Sequence, residues 1–187
     1  MRNFQDVCEW VKRETGQAVR PYSTYDFGRS KDYSHRSVIL SQTNAAQLIQ
    51  KAMPSLPEGV LMFTGTSGTR LGDGRREEDV EVVIGRGKDQ WDKLRIARTI
   101  DCNRDWTTEE IITRLKRFDE KYGISIFHAE TDDVGIEFLC WPQFDDLDQL
   151  CQEIYEFCPD IVHQGWGSVK DLKEVIEATG LIHLWWD

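Results

Sequence analysis

Six polar residues lie where predicted helices and strands end, and their side chains could bind a ligand together. This strand-end cluster consists of Asp101, Asn103, Asp133, Asp160, Gln164 and Asp187. Loops held by a rigid scaffold commonly carry binding residues. The same residue types also cap helices and turns. The sequence leaves both interpretations open, and it predicts this cluster as the place for any binding pocket.

A second group of acids lies on the predicted solvent side of one helix and in a nearby turn. Asp145, Asp146 and Asp148 fall in the first turn of that helix, where carboxylates stabilise the positive end of the helix dipole. Together with Asp132 and Asp133 they form an acidic face. Such a face would steer a basic protein partner during association.

The residues that could bind a metal ion or act as a nucleophile do not have the spacing that is usual for such sites. Structural zinc sites commonly contain a close Cys-x-x-Cys pair, and the five cysteines include none. Cys158, Asp160 and His163 are too close in sequence to fold easily into a nucleophile with its acid and base. His128 and His183 share strand faces with apolar residues and are interpreted as structural. The sequence therefore predicts no catalytic residue, no metal ligand and no cofactor.

An α+β fold in two parts is predicted to position these residues. Residues 1–87 form a smaller α/β N-terminal half, and residues 88–187 form a ferredoxin-like domain. A glycine-containing stretch at residues 85–88 marks the boundary, because glycine favours connecting segments.

The predicted C-terminal domain begins with a strand at Lys93–Asp101, followed by a helix that starts after Thr107. Two strands around the turn at residues 130–133, a long helix and a short helix come next. The chain closes on an apolar strand at Leu181–Trp186. This order corresponds to the βαββαβ pattern of a ferredoxin-like sandwich.

The composition is that of a soluble globular protein with a net charge of -10. An acidic chain is poorly suited to non-specific nucleic-acid binding, which depends on lysine and arginine contacts with phosphates. The sequence contains no apolar run near the ~18 residues that a membrane helix requires. Five scattered cysteines are typical of reduced thiols in the cytoplasm. We therefore expect a cytoplasmic protein that binds neither nucleic acid nor membrane. Its oligomeric state is not defined by the sequence.

Several short stretches in the C-terminal part of the chain resemble one bacterial family. They are Leu94–Thr99, Asp101, Asn103, Phe157–Val162, Gln164-Gly165, Gly167 and Trp185–Asp187. In combination and order they are similar to domain-of-unknown-function family 4253. The resemblance implies a compact α/β domain in a bacterial cytoplasm. It implies no catalytic residue, because the family brings no established activity.

These observations predict a small acidic binding protein. The most specific form of this prediction is an immunity (antitoxin-like) protein that blocks a basic protein partner. The alternative is an enzyme or small-ligand binder that uses the strand-end cluster. A deep pocket with convergent acids would favour the alternative. A flat acidic face with exposed aromatic residues would favour the binding protein.

Overall fold

The computed structural model describes residues 1–23, 31–71, 74–140 and 144–186, and the side chains of residues 144 and 145 lie outside that description. The chain packs as two compact units. The first comprises Met1–Arg98 and Ala129–Thr131, and the second comprises Thr99–His128 and Asp132–Asp187. The domain boundary predicted between residues 87 and 88 stays a prediction.

The described residues of the first unit form four α-helices, four strands and a short 3-10 helix at Met53–Ser55. The helices are α1 (Phe4–Thr15), α2 (Gln42–Ala52), α3 (Gly68–Leu71) and α4 (Trp91–Ala97), and the strands are β1 (Arg20–Ser23), β2 (Lys31–Ser41), β3 (Val60–Ser67) and β4 (Asp79–Arg86). The strands lie in the order β1-β2-β4-β3. Each neighbouring pair is antiparallel.

Helix α1 shows how local sequence defines an element of this unit. The Asn3 side chain accepts a hydrogen bond from the backbone N–H of Asp6 at 3.0 Å. At the other end, Gly16 adopts a φ of 67°, a left-handed conformation that glycine reaches without steric penalty. Between these caps, Val7 and Val11 are fully buried and belong to the apolar core of the unit.

The strand predicted at Lys93–Asp101 is wrong, because the chain forms helix α4 there. Trp91, Leu94 and Ala97 recur at intervals of three residues and are all buried, which is the spacing of a helix face. Leu94 and Ile96 also alternate as they would in a strand. A segment this short satisfies both periods, so periodicity alone does not separate the two structures.

The described residues of the second unit form three α-helices and three strands, except that Ala129 at the end of β5 is grouped with the first unit. In chain order they are α5 (Thr108–Tyr122), β5 (Ile124–Ala129), β6 (Asp133–Phe138), α6 (Phe144–Phe157), α7 (Val169–Thr179) and β7 (Leu181–Trp185), with a π-helical stretch at Ile161–Trp166. The strands lie in the order β5-β6-β7, and β7 is antiparallel to β6. The α+β class is confirmed. The unit begins with a helix where the ferredoxin-like pattern begins with a strand.

The ends of this unit follow signals that the sequence carries. Helix α5 begins with a capping box, in which the Thr107 and Glu110 side chains each accept a hydrogen bond from the backbone N–H of the other residue. Strand β7 buries one apolar face, with Ile182 and Leu184 almost inaccessible to solvent, while Leu181 and His183 on its other face are exposed. The backbone N–H of Trp186 donates to the carbonyl of Asp132 at 3.0 Å. Among the described residues, no helix has the length and apolar character needed to cross a membrane.

Candidate metal centre

Two histidines and one aspartate from three neighbouring strands meet in the second unit. His128 lies in β5, Asp133 begins β6 and His183 lies in the middle of β7. His183 Nδ1 is 3.0 Å from Asp133 Oδ1, and His128 Nε2 is 3.8 Å from the same oxygen. One nitrogen of each ring and one carboxylate oxygen all lie within 4.8 Å of one another. We call these three residues the His-Asp-His cluster.

The pairing of β6 with β7 brings these side chains together. His183 pairs with Gly135, and Asp133 pairs with Trp185. Because side chains alternate along a strand, Asp133 and Gly135 project on the same side of β6. No side chain at position 135 separates the imidazole rings of His183 and His128, and their centroids lie 5.2 Å apart.

Gly135 is required by this close approach. A Cβ atom at position 135 would lie 2.6 Å from two ring carbons of Phe127 and 2.8 Å from the Cβ of His128. Both separations are shorter than van der Waals contact, so a side chain would displace its neighbours. The edge of the Phe127 ring also packs against His183, with centroids 5.3 Å apart. The absence of a side chain at Gly135 therefore leaves the space in which the rings of Phe127, His128 and His183 pack together.

The cluster has a buried side and an open side. The exposed fraction of the side chain is 7% for His128, 25% for Asp133 and 45% for His183. His128 is therefore held in place by packing, and the other two side chains reach solvent. An ion or a water molecule can approach from the His183 side without disrupting the core.

The donor atoms suit a divalent transition-metal ion. Imidazole nitrogen binds Zn²⁺, Fe²⁺ and related ions, and two histidines with one carboxylate leave coordination positions open. Ligand atoms about 2.1 Å from a tetrahedral ion lie roughly 3.4 Å from one another. The separations of 3.0 and 3.8 Å lie on either side of that value. Small side-chain rotations would close the cluster around an ion.

Sequence reasoning missed the cluster, although it selected Asp133. The sequence interpretation gives both histidines structural roles, because each shares a strand with apolar residues. The turn between β5 and β6 is a local signal that places His128 near Asp133. The pairing of β7 with β6 brings in His183 from 50 residues away along the chain. No local pattern encodes that pairing.

Three residues of the strand-end cluster contact one another. The Asn103 side-chain amide donates to Asp160 Oδ2 at 2.7 Å. Asp101 is buried, and its Oδ1 accepts from the backbone N–H groups of Asn103 and Arg104 at 2.7 and 2.9 Å. The two bonds to Asp101 hold a turn together, which is the capping role that the sequence left open. The Asn103–Asp160 bond ties this turn to the start of the π-helical stretch.

The remaining residues of the strand-end cluster lie apart from this turn. Asp133 belongs to the His-Asp-His cluster, and Gln164 lies exposed in the π-helical stretch. Asp187 lies outside the described residues. The contacts of the described members therefore divide between a capped turn and a candidate metal centre.

The acidic face carries less free negative charge than the sequence predicts. Asp148 forms an ion pair with Lys173. Asp133 faces two histidines. Asp146 is exposed, Asp132 is half-buried and the side chain of Asp145 lies outside the described residues.

Cys158 is arranged as a packing residue. Its Sγ donates to the carbonyl of Trp185 at 2.9 Å. Burial raises the pKa of the Cys158 thiol to about 12, so the thiol stays protonated near neutral pH and lacks the thiolate that nucleophilic attack requires. The ring of His163 contacts Tyr155 instead, with 3.1 Å between His163 Nε2 and the hydroxyl oxygen.

The geometry defines an α+β protein with a candidate metal centre on strands β5, β6 and β7. A family model described as Domain of unknown function (DUF4253) matches residues 81–187. The match covers more than half of the chain, so the protein belongs to this family, and the resemblance seen in the sequence is confirmed. Comparisons with curated proteins and with solved structures found no match.

Proposed function

We propose that this protein binds one divalent transition-metal ion through His128, Asp133 and His183. The observation that carries the proposal is the convergence of two imidazole nitrogens and one carboxylate oxygen within 4.8 Å of one another. These donors come from three different strands, so the backbone holds the site together before an ion arrives. Preorganised ligands lose less conformational freedom on binding, which strengthens metal affinity.

The spacing around His128 favours an ion over a purely hydrogen-bonded arrangement. His128 Nε2 is 3.8 Å from Asp133 Oδ1, which is too long for a hydrogen bond. An ion between the three donor atoms would contact both groups at once. Two neutral imidazoles and one carboxylate carry a single negative charge, which offsets half of the charge of a divalent ion.

Open coordination positions would give the bound ion a chemical role. Three protein ligands leave room for water or for an oxygen atom of a second molecule. A metal ion can polarise a bound carbonyl or lower the pKa of bound water. This arrangement supports the enzyme or small-ligand alternative from the sequence, and it moves the site from the strand-end cluster to the His-Asp-His cluster.

The test is titration of chelator-treated, dialysed protein with Zn²⁺ by calorimetry, and with Co²⁺ by visible absorption. We expect one ion per chain and the absorption bands of a Co²⁺ ion with nitrogen and oxygen ligands. Asp133→Asn and His183→Gln should each weaken binding by at least about tenfold, because each removes a donor that the ion contacts directly.

Two matched variants control for general effects of these substitutions. Asp132→Asn changes the neighbouring carboxylate, and His163→Gln changes a histidine that also contacts an aromatic ring. Both should bind Zn²⁺ like the parent protein. The proposal fails if the parent takes up no stoichiometric ion, or if the control variants lose binding as much as the ligand variants do. Melting curves identify any variant that fails to fold.

The acidic binding protein predicted from the charge is a second proposal, and one exposed surface favours it. Trp166 is 44% exposed in the π-helical stretch, and His163 and Gln164 beside it are exposed as well. Exposed tryptophan is typical of protein-binding surfaces. An immunity protein would use this surface, together with the exposed Asp146, to hold a basic partner.

Co-expression with the products of neighbouring genes tests this second proposal. A complex that survives gel filtration and is lost in Trp166→Ala would support it. Leu139→Ala is a matched control, because Leu139 is also exposed and apolar and should leave the complex intact. If no neighbouring product forms a complex, the immunity role is excluded for those partners.

A further inference from the structure

A groove in the second unit gathers cationic and aromatic side chains, and none of its lining residues belongs to the His-Asp-His cluster. Its walls are the segment before α5, one face of α5 and the C-terminal half of α6. The groove has a volume of about 730 Å³, which lies within the range of small-molecule sites. In a chain with a net charge of -10, such a concentration of cations requires a local explanation.

Aromatic rings form a rigid floor in this groove. Trp106 stacks on Phe157, with ring centroids 5.7 Å apart and an interplanar angle of 16°. Phe157 also contacts Phe118 at 5.8 Å and the buried Trp186 at 5.3 Å. The floor is therefore continuous with the core, and its rings have little freedom to move.

Two guanidinium groups are held against this floor. The Arg114 guanidinium lies 3.8 Å from the centroid of Trp106, and that of Arg104 lies 4.6 Å from it. Arg104 also donates to the carbonyl of Phe157 at 2.7 Å. Among the described residues, the buried Nε of Arg114 has no hydrogen-bond partner. Cation–π contact thus positions Arg114 without using its donors on a carboxylate.

Helix α5 adds two more cations along the same face. Arg114, Arg117 and Lys121 are separated by three and four residues, so they lie on one side of the helix. Lys121 forms an ion pair with Glu153 at 3.0 Å. Among the described residues, the ion pairs made by cations of this groove are Arg104 with Asp101 and Lys121 with Glu153, and neither involves Arg114 or Arg117. Glu156 adds an acceptor to the lining of the groove.

We infer that this groove binds a phosphomonoester of a small hydroxylated molecule, such as a sugar phosphate or a nucleoside monophosphate. The phosphate is a dianion near neutral pH, because its second pKa is about 6. Arg114 and Arg117 supply the two positive charges that neutralise it, and guanidinium groups match phosphate geometry with paired hydrogen bonds. Glu153 and Glu156 accept hydrogen bonds from hydroxyl groups of the same molecule. The aromatic floor packs against its carbon atoms.

Calorimetry on the full chain in the presence of EDTA tests this site independently of the proposed metal centre. Ribose 5-phosphate and adenosine monophosphate are the probes, and inorganic phosphate and ribose are the comparison compounds. We expect at least one probe to bind with one molecule per chain, about tenfold or more tightly than either comparison compound. Tighter binding of adenosine monophosphate would identify a nucleotide, and equal binding would identify the sugar phosphate portion as the recognised part.

Arg117→Met and Arg114→Met should each weaken binding of the better probe by about tenfold or more. Arg117 is exposed, so its variant should fold even if loss of the cation–π contact destabilises Arg114→Met. Lys116→Met is the matched control, because Lys116 is an exposed cation of the same helix that does not line the groove. It should bind within about twofold of the parent.

Three results would overturn the inference. The first would be that neither probe binds at concentrations up to about 1 mM. The second would be that inorganic phosphate binds as tightly as the probes, because the groove would then select no organic group. The third would be that Arg117→Met and Lys116→Met weaken binding equally, because the effect would then come from the general charge of α5.

Discussion

Each unit contains a carboxylate that lies among strands. The two carboxylates differ in their burial and in their ion-pair partners. In the first unit, Glu81 is fully buried in β4. Its Oε1 accepts from the Ser37 hydroxyl at 2.5 Å and from Arg20 Nη2 at 2.8 Å. In the second unit, Asp133 is 25% exposed and its described ion-pair partners are His128 and His183.

Burial and the type of partner decide what each of these two carboxylates can do. Arg20 has a permanent charge and neutralises the Glu81 carboxylate through Oε1, so no external cation is needed there. Histidine nitrogens are metal ligands as well as hydrogen-bonding groups. An accessible carboxylate between two histidines therefore keeps the capacity to bind an ion. We interpret Glu81 as structural and Asp133 as functional on this basis.

The energetics of the two carboxylates differ for the same reason. Burial raises the pKa of the Glu81 carboxyl above its ordinary value, and the hydrogen bond from Ser37 and the charge of Arg20 oppose that rise. A raised pKa in the folded state means that stability is lost as the pH rises through it. The fold depends on Arg20 most at high pH, where Glu81 is charged.

The largest effect is expected for Arg20→Met. This substitution keeps much of the side-chain volume and leaves Glu81 buried without its cation, which should lower the free energy of unfolding by about 3 kcal/mol. The loss should be larger at about pH 8 than at about pH 5, because protonation of Glu81 relieves the buried charge. Urea denaturation at both pH values measures it.

Arg13→Met is the control for that substitution, because Arg13 lies exposed in the last turn of α1. Its free energy of unfolding should stay close to that of the parent at both pH values. An Arg20→Met loss that does not depend on pH would contradict the assignment of the effect to Glu81.

A smaller effect is expected for Gly135→Ala. The new methyl group would overlap the Phe127 ring and the Cβ of His128, and overpacking of this kind costs about 1–3 kcal/mol. The same displacement should weaken Zn²⁺ binding, because it moves His128 away from Asp133. Urea denaturation and calorimetry measure the two effects on one protein sample.

Gly59→Ala separates steric displacement from backbone strain. Gly59 has a φ of 79° and open space around its Cβ position, so alanine there strains the backbone without displacing a neighbour. It should reduce stability and leave Zn²⁺ binding unchanged. If Gly135→Ala binds Zn²⁺ as the parent does, the space left by Gly135 has no role in forming the candidate metal centre.

The sequence predicts those parts of the fold that depend on nearby residues. The helix start after Thr107 and the apolar strand at the end of the chain are local signals, and both elements form where they are predicted. Helix α4 was not predictable in this way, because seven residues satisfy helix and strand spacing equally well. Its true state depends on burial of Trp91 and Leu94, which tertiary packing decides.

The candidate site was predictable only in part, for a related reason. Asp133 can be selected from the sequence as a candidate binding residue, because it is an acidic residue in a tight turn. The partnership with His183 depends on which strand lies beside β6, and strand order is a property of the whole unit. The cationic face of α5 could be read from the spacing of Arg114, Arg117 and Lys121. Its aromatic floor combines Trp106 with Phe157, which lie far apart in the sequence.

The smallest effect on the metal-free protein is expected for Asp133→Asn. This variant distinguishes the role of Asp133 from that of Glu81 most directly. Asparagine keeps an oxygen that can accept a hydrogen bond from His183, and the pair is partly solvated. The free energy of unfolding without metal should therefore fall by less than about 1 kcal/mol. At free Zn²⁺ of about 100 times the dissociation constant, the parent should gain about 2.7 kcal/mol, and Asp133→Asn should gain almost none. Arg20→Met should show the opposite pattern, with a large loss that is the same with and without Zn²⁺, because Glu81 is sealed from solvent. A Zn²⁺-dependent gain of equal size in the parent and in Asp133→Asn would remove the functional distinction between the two carboxylates.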